Sequence, residues 1–556
     1  MIRPVDSDRQ AGRASTAATG TEDDIQDDGH QEETVFLDRE PMDAPQADVS
    51  EVVGKFGRYH FILIVVNILR AIPIGWTLTS VDFLAGDVDH YCAAPAHYNG
   101  SDWETVVNNP DMRCSRYHVD ESGTLNVSHP PEACSSWKYN ETQPSSAVVE
   151  WDLVCERAWM RSAIQSVAFL GQLIGALVFG KLADKYGRLL MFDVAAVTML
   201  IFGAAGSFAP VVEMFNAIRF LQAMSTAGLQ TLSAALYSEV ALPADRNYLH
   251  LGMTLGLGIT QLLLPAMAKW FDNWRYVQLA TGLSAIALLP FLLYLEESPR
   301  WLLSVGQHKR GERALERILR KNRSDVTDLA KKMPQLISKA SCGPPSAGLK
   351  DLWPHQNVRR NLFTMFLLWA INNLALFGIT YLPSKLGGDR FFNFTAASSA
   401  EIPAGFVGLY VIRKLRRRNS LTGILLICSS ALLATALIPM EFVYIRVACM
   451  FVARFCVVIT TATMWVFTME LFPTSIRSFA LSLCFFVGRT SAALAPFLRD
   501  LADYYQPAPF ALLAILTAIC AVLLRITPET LGKPLPDTMT EADRIGKEDK
   551  LSKLGV

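Results

Sequence analysis

The sequence is built around stretches of about 20 predominantly apolar residues, each long enough for a helix rising 1.5 Å per residue to cross roughly 30 Å of hydrocarbon. Twelve can be counted. They run at roughly 61–84, 159–180, 190–209, 213–238, 249–271 and 276–295, then at roughly 361–383, 396–412, 421–439, 442–468, 477–498 and 508–526. Lipid offers no water to unpaired backbone groups, so such spans must be helices. The expected fold class is an all-α membrane protein with twelve transmembrane helices. A hydrophobic fraction of 51% with only 19% charged residues excludes an ordinary soluble enzyme.

The charges sit in the loops and set the orientation. Lys181, Lys185 and Arg188 follow the second span, a basic segment from Lys309 to Arg323 follows the sixth, and RKLRRR at 413–418 follows the eighth. By the positive-inside rule these loops, and with them both termini, face the cytoplasm. The first 50 residues, with TEDDIQDDGHQEE at 21–33, read as a disordered acidic tail rather than a signal peptide. The loop at 85–157 then lies outside. Its four cysteines, Cys92, Cys114, Cys134 and Cys155, imply two disulfides, with all three connectivities open. Asn99, Asn126 and Asn140 in the same loop head glycosylation sequons. Those at Asn322 and Asn393 are discounted, one for its cytoplasmic side and the other for its closeness to the membrane.

An internal repeat organises the spans. Shifting SEVALPADRN (238–247) by 231 positions lands it on MELFPTSIRS, so that Glu239 maps to Glu470 and Arg246 to Arg477. The same shift carries GKLADKYGRLL (180–190) onto a basic stretch that lacks the Asp. Two motifs with one offset indicate two parallel six-helix repeats enclosing a central cavity. The expected units are the tail 1–50, a first half 51–295, a linker 296–360, a second half 361–527 and a tail 528–556.

GKLADKYGRL resembles the G-x-L-A-D-[RK]-x-G-R signature of the major facilitator superfamily, supported by EESPRWLLSVGQ (296–307), MELFPTSIR (469–477) and PETLGKPLPDT (528–538). The four-cysteine loop ending in VVEWDLVCERAW and the stretch VVGKFGRYHFILI (52–64) are similar to those of the organic ion transporters in that superfamily, which carry cations, anions and zwitterions such as carnitine. The usual arginine after Arg188 is Leu189, and the second signature copy is degraded.

The resemblance implies charged latches at helix ends: Asp184 with Arg188, Glu239 with Arg246, and Glu470 with Arg477, holding the cytoplasmic side shut until the halves rock. Deeper charges, Arg70, Asp193, Arg219, Glu401, Arg454 and Arg489, are expensive in hydrocarbon and must face protein or a wet cavity. Arg219 and Arg454 fit structural ion pairs at least as well as substrate contacts. At the nineteenth residue after Glu470, cation carriers of the family have Asp, whereas anion and carnitine carriers have Arg. Here it is Arg489. Glu401 matches an acidic position of cation and carnitine carriers, so a cavity with both signs would suit a zwitterion; the alternative is that Glu401 and Arg489 neutralise each other. Trp369, Asn373 and Phe377 share a helical face, with Asn372 and Tyr381 nearby. Family alignment turns that face, together with Thr254 and Trp465, toward the substrate.

The expected function is transport of small organic ions across the plasma membrane by alternating access, leaning to zwitterions and anions. The alternatives are an organic cation carrier and a non-transporting sensor on the same fold. No nucleotide-binding loop, metal-ligand cluster or nucleophile elbow is visible, so no cofactor, metal, nucleic-acid partner or catalytic residue is expected. The partners would be the substrate and the bilayer, with the chain acting as a monomer or loose oligomer.

Overall fold

Helix α1, Arg58–Thr79, begins where Asn322 of the linker accepts the Tyr59 N–H at 2.8 Å, so a residue more than 260 positions away satisfies one of its orphan donors. The computed structural model describes residues 48–341, 354–531, 536 and 538–543, apart from 87, 95–97, 99–112, 120–124, 127–129, 140–144, 243, 244, 246, 474 and 475. The acidic tail, Asn99, Asn140 and Arg246 lie outside the described residues.

The first half continues with α2 Trp159–Tyr186, α3 Arg188–Ala205, α4 Val212–Ser238, α5 Asn247–Trp270 and α6 Trp274–Leu283, the last extended by further turns to Leu292. The second half comprises α7 Gln356–Tyr381, α8 Arg390–Ser398 with Glu401–Lys414, α9 Arg417–Leu437, α10 Val443–Leu471, α11 Arg477–Ala492 with Phe497–Tyr504, and α12 Ala508–Leu523. Eleven of these are long and apolar enough to cross a membrane. The exception is α4, whose interior-facing Arg219, Gln222, Thr226 and Ser233 lower its hydropathy because it is walled by protein rather than lipid.

The packing repeats with the sequence. Helix α1 lies on α5 as α7 lies on α11; α2 lies on α4 as α8 lies on α10; α3 lies on α4 as α9 lies on α10. The halves meet through α2 against α11 and α5 against α8, two contacts related by the same repeat. Within the first half, Gly171 and Gly175 let α2 approach α4 closely: a Cβ at either would stand 2.4 or 2.3 Å from the carbonyl oxygen of Phe220 or Met224. Gly187, at φ +115°, turns the chain from α2 into α3 in a conformation that side-chain-bearing residues rarely adopt.

Between α1 and α2 the described residues of the disulfide loop form three short antiparallel pairs: His90–Cys92 with Trp137–Tyr139, Ser115–Arg116 with Glu132–Ala133, and His118–Val119 with Leu125–Asn126. Of the three connectivities the sequence allows, the structure has Cys92–Cys134 and Cys114–Cys155. Half-buried His90, its imidazole held below the ordinary value by that burial, lies within metal-ligand spacing of Cys114 and Cys155, but both sulfurs are committed to the disulfide. The discounted sequon residues have structural work: Asn322 caps α1, and buried Asn393 donates to the carbonyls of Pro383 and Gly387.

Candidate functional site

Arg489, on α11, is buried near the middle of the membrane-spanning bundle. Its Nη2 donates to Oε1 of Gln230 on α4 at 3.4 Å, and its guanidinium lies 5.0 Å from the Phe485 ring and 5.7 Å from the Phe377 ring. Among the described residues Nη1 has no hydrogen-bond partner and no carboxylate pairs with this cation. Next to it, Gly488 lets α11 close on α7, since a Cβ there would stand 2.6 Å from Nδ2 of Asn373. The aromatic walls come from four helices, α2, α7, α10 and α11. Trp369 meets Trp465 edge-on at 5.3 Å and Phe485 at 6.2 Å, while Phe377 meets Phe169 of α2 at 4.7 Å. Most hydrogen-bonding groups here are satisfied internally: Trp369 Nε1 donates to Thr468, Asn373 to the Trp369 carbonyl and Asn372 to Thr461.

Glu401 does not join this cluster. It accepts from Nε and Nη2 of Arg454 at 3.1 and 2.8 Å, and the same guanidinium reaches Thr380, the Leu376 carbonyl and Gln261 of α5. The expected alternative of mutual neutralisation with Arg489 therefore does not hold: α10 supplies a nearer base. Thr254 belongs to this second neighbourhood, on the α5 side where it packs against Gly405 of α8. Helix α7 divides the two, offering Trp369, Asn373 and Phe377 to one and Leu376 and Thr380 to the other. Tyr381 is withdrawn from both, its hydroxyl donating to the Leu78 carbonyl at 2.6 Å.

Arg219 corrects another expectation. It is fully buried yet has no acidic partner among the described residues; the Thr77 carbonyl, Gln165 and Gln278 accept its N–H groups. Arg70 likewise pairs only with a neutral group, Asn67 Oδ1, at 2.9 Å. Among the described residues Arg70, Arg219 and Arg489, and Arg446 with them, are buried guanidinium groups without an ion pair, which makes the interior around them electropositive.

At the helix ends the charges are arranged twice over. In the first half Arg188 bonds Asp184 at 2.9 Å, Glu239 at 3.3 Å and the Ala183 carbonyl at 2.9 Å, while Glu297 accepts the Arg188 and Leu189 N–H groups at the start of α3. In the second half Arg417 grips Glu470 with Nη2 and Nε at 3.0 and 3.2 Å and donates to the Ile412 carbonyl, while Glu529 accepts the Arg417 and Arg418 N–H groups at the start of α9. Each carboxylate at a helix N-terminus meets orphan donors and the positive end of the dipole. Arg417 was missed because a fixed shift of 231 aligns Arg188 with Asn419, whereas Arg417 stands 53 positions before Glu470 and Arg188 only 51 before Glu239. The signal for Glu297 and Glu529 lay in EESPR and PETLG, where both follow the last helix of a half. Glu470 pairs with Arg417 and Thr530, not with Arg477, which instead donates to the Phe472 and Pro536 carbonyls. None of these joints crosses between the halves.

The halves are joined at the end that carries the disulfide loop. Buried Arg499 of α11 pairs with buried Asp82 at 3.3 Å, Arg161 of α2 with Asp503 at 3.5 Å, and Ser162 and Ser166 donate to the Pro496 and Ala493 carbonyls.

Residues 123–541 match the model of the sugar (and other) transporter family. Among curated relatives, an organic cation transporter-like protein of Drosophila melanogaster is 30% identical over 525 residues, covering 90% of this chain and 92% of that protein. The organic cation/carnitine transporter 2 of Rattus norvegicus is 26% identical over 522 residues, covering 90% and 94%. Among solved structures, the inward-open xylose transporter XylE of E. coli superimposes with a TM-score of 0.60 at 17% identity, covering 88% of this chain and all of that one, which establishes a shared fold.

Proposed function

Because the chain belongs to the sugar (and other) transporter family of the major facilitator superfamily, and within it to the organic ion transporters, we propose that it carries small organic ions bearing a carboxylate, anions or zwitterions, by alternating access. The observation that carries this reading is Arg489: a buried cation between the halves that, among the described residues, has an unused N–H and no acidic partner, with an amide and two aromatic faces beside it. An incoming carboxylate would supply the missing counter-charge and can accept two N–H groups from one guanidinium. Arg70 and Arg219, also without an acidic partner among the described residues, favour the same sign. Trp369, Trp465, Phe377 and Phe485 would hold the organic body, and an ammonium group if present. Glu401, spent on Arg454, would act by setting that pair rather than by touching substrate.

The orientation we propose places both termini and the basic loops in the cytoplasm, the chain in the plasma membrane and the disulfide loop outside. The structure would then be closed to the outside by the contacts around Asp82, Arg161 and Arg499. The joints at Arg188 and Arg417 would keep each half rigid while the two rock.

A second reading, organic cation transport, draws on the names of the relatives and on the aromatic walls. Radiolabelled uptake of a cation, an anion and a zwitterion by cells expressing wild type or Arg489→Asp separates them. Loss of anion and zwitterion uptake on reversal supports a carboxylate at Arg489; undiminished uptake contradicts it.

A further inference from the structure

Helices α8 and α9 both pack on α10 but hardly on each other, leaving between them an apolar groove of about 630 Å³ lined by Val407, Val411, Ile424, Ile427, Phe451 and Phe455. It opens sideways: Val407, Ile427 and Val452 are exposed on the outer surface that a bilayer would cover. At its basic end it runs into a second cavity of about 570 Å³ lined by Arg418, Asn419, Thr422, Leu426 and Arg525, the two sharing Asn419 and Gly423. The junction is open at Gly423, where a Cβ would meet nothing within 4 Å.

We propose that this pair of cavities is a binding site for one anionic glycerophospholipid of the leaflet at the basic end. The charged side chains gather at one of the two: Arg418 and Arg525 border the second cavity, and no charged residue lines the groove among the described residues. Two guanidinium groups border the upper cavity, and a phosphodiester is the oxyanion such groups hold well. The groove below is almost wholly apolar, which suits an acyl chain and would repel a soluble phosphate compound. Its depth fits as well: from Asn419 to Ile427 the helix descends about 12 Å, close to the roughly 15 Å of one hydrocarbon leaflet. The exposed Arg413, Lys414 and Arg416 at the same end would draw anionic lipid toward it. A bound lipid would wedge the α8–α9 hairpin beside the Arg417 joint, a position from which lipid composition could tune the motion of the second half.

The test is native mass spectrometry of the purified full-length protein titrated with palmitoyl-oleoyl phosphatidylserine or phosphatidylcholine. Wild type should retain phosphatidylserine about tenfold better, and Arg525→Gln should cut that preference about fivefold. Gly423→Phe, which fills the junction, should lower retention of both lipids; if that variant does not fold, Arg525→Gln alone decides. Equal retention of the two lipids, an unchanged preference in Arg525→Gln, or displacement of the lipid by an equal concentration of soluble glycerophosphoserine would each overturn the proposal.

Discussion

Glu401 accepts both hydrogen bonds of the Arg454 fork on a single oxygen, Oε2, at 3.1 and 2.8 Å, with both side chains buried. The acid that could have balanced Arg489 is thereby committed elsewhere, across the α8–α10 contact. A site that might have been self-neutralised keeps one uncompensated cation.

That commitment has a stability consequence. Glu401→Gln leaves Arg454 buried without a counter-charge and should cost about 3–5 kcal/mol, read as a lowered thermal unfolding midpoint in detergent. The paired replacement Glu401→Leu with Arg454→Met should recover much of the loss, because neither charge then needs compensation. Equal destabilisation of the single and double variants would show that the pair is not what matters.

The duplicated joints predict that the two halves are equally sensitive at their helix ends. Arg417→Ala should lower uptake per surface-expressed molecule as much as Arg188→Ala, on the order of tenfold if each buried charge-assisted bond contributes about 1.5 kcal/mol. Arg418→Ala, whose backbone rather than side chain meets Glu529, should do less. Normal uptake in Arg417→Ala would remove the second joint from the account.

At the loop end, Asp82 and Arg499 join the two halves through a buried ion pair. Arg499→Gln leaves Asp82 without that partner and should weaken the closure. A cysteine introduced as Ser162→Cys, beside Pro496 in the same seam, should then react faster with a membrane-impermeant thiol reagent added from outside. No change in labelling rate would argue that the seam is held by packing alone.

The chain beyond α12 returns to cap α7. Asp543 accepts the Asn357 N–H at 2.9 Å and its carbonyl accepts from Asn357 Nδ2, while Ala542 and Met539 pack into the core below. Asp543→Ala should lower stability by about 1 kcal/mol, measured by thermal unfolding. Truncation after residue 537 should cost more, since it also exposes the apolar face.

How much of this was legible in the sequence depends on the range of the interaction. Apolar length and loop charge are local properties, and they gave all twelve spans, including α4, which keeps its place despite Arg219 because protein surrounds it. Pairing is not local. Arg454 and Glu401 were both visible as buried charges, but only the crossing of α8 and α10 marries them. Tyr381 sits on a pocket-facing stretch by sequence, yet one further turn along α7 puts its hydroxyl in the seam with Leu78. Arg417 was hidden because the stretch from the start of α9 to the start of α10 is two residues longer than that from α3 to α4, which a rigid sequence offset cannot absorb. Arg489 was the exception, since an arginine in an apolar span marks itself.

The central claim is that Arg489 receives a substrate carboxylate. Its most direct measurement is uptake into proteoliposomes of a labelled zwitterion such as carnitine compared with its methyl ester, which keeps the ammonium and removes the negative charge. Wild type should take up the acid at least tenfold faster than the ester, in line with one charge-assisted bond of about 1.5–3 kcal/mol, and Arg489→Gln should erase the difference. Equal uptake of acid and ester by wild type, or an undiminished preference for the acid in Arg489→Gln, would contradict it.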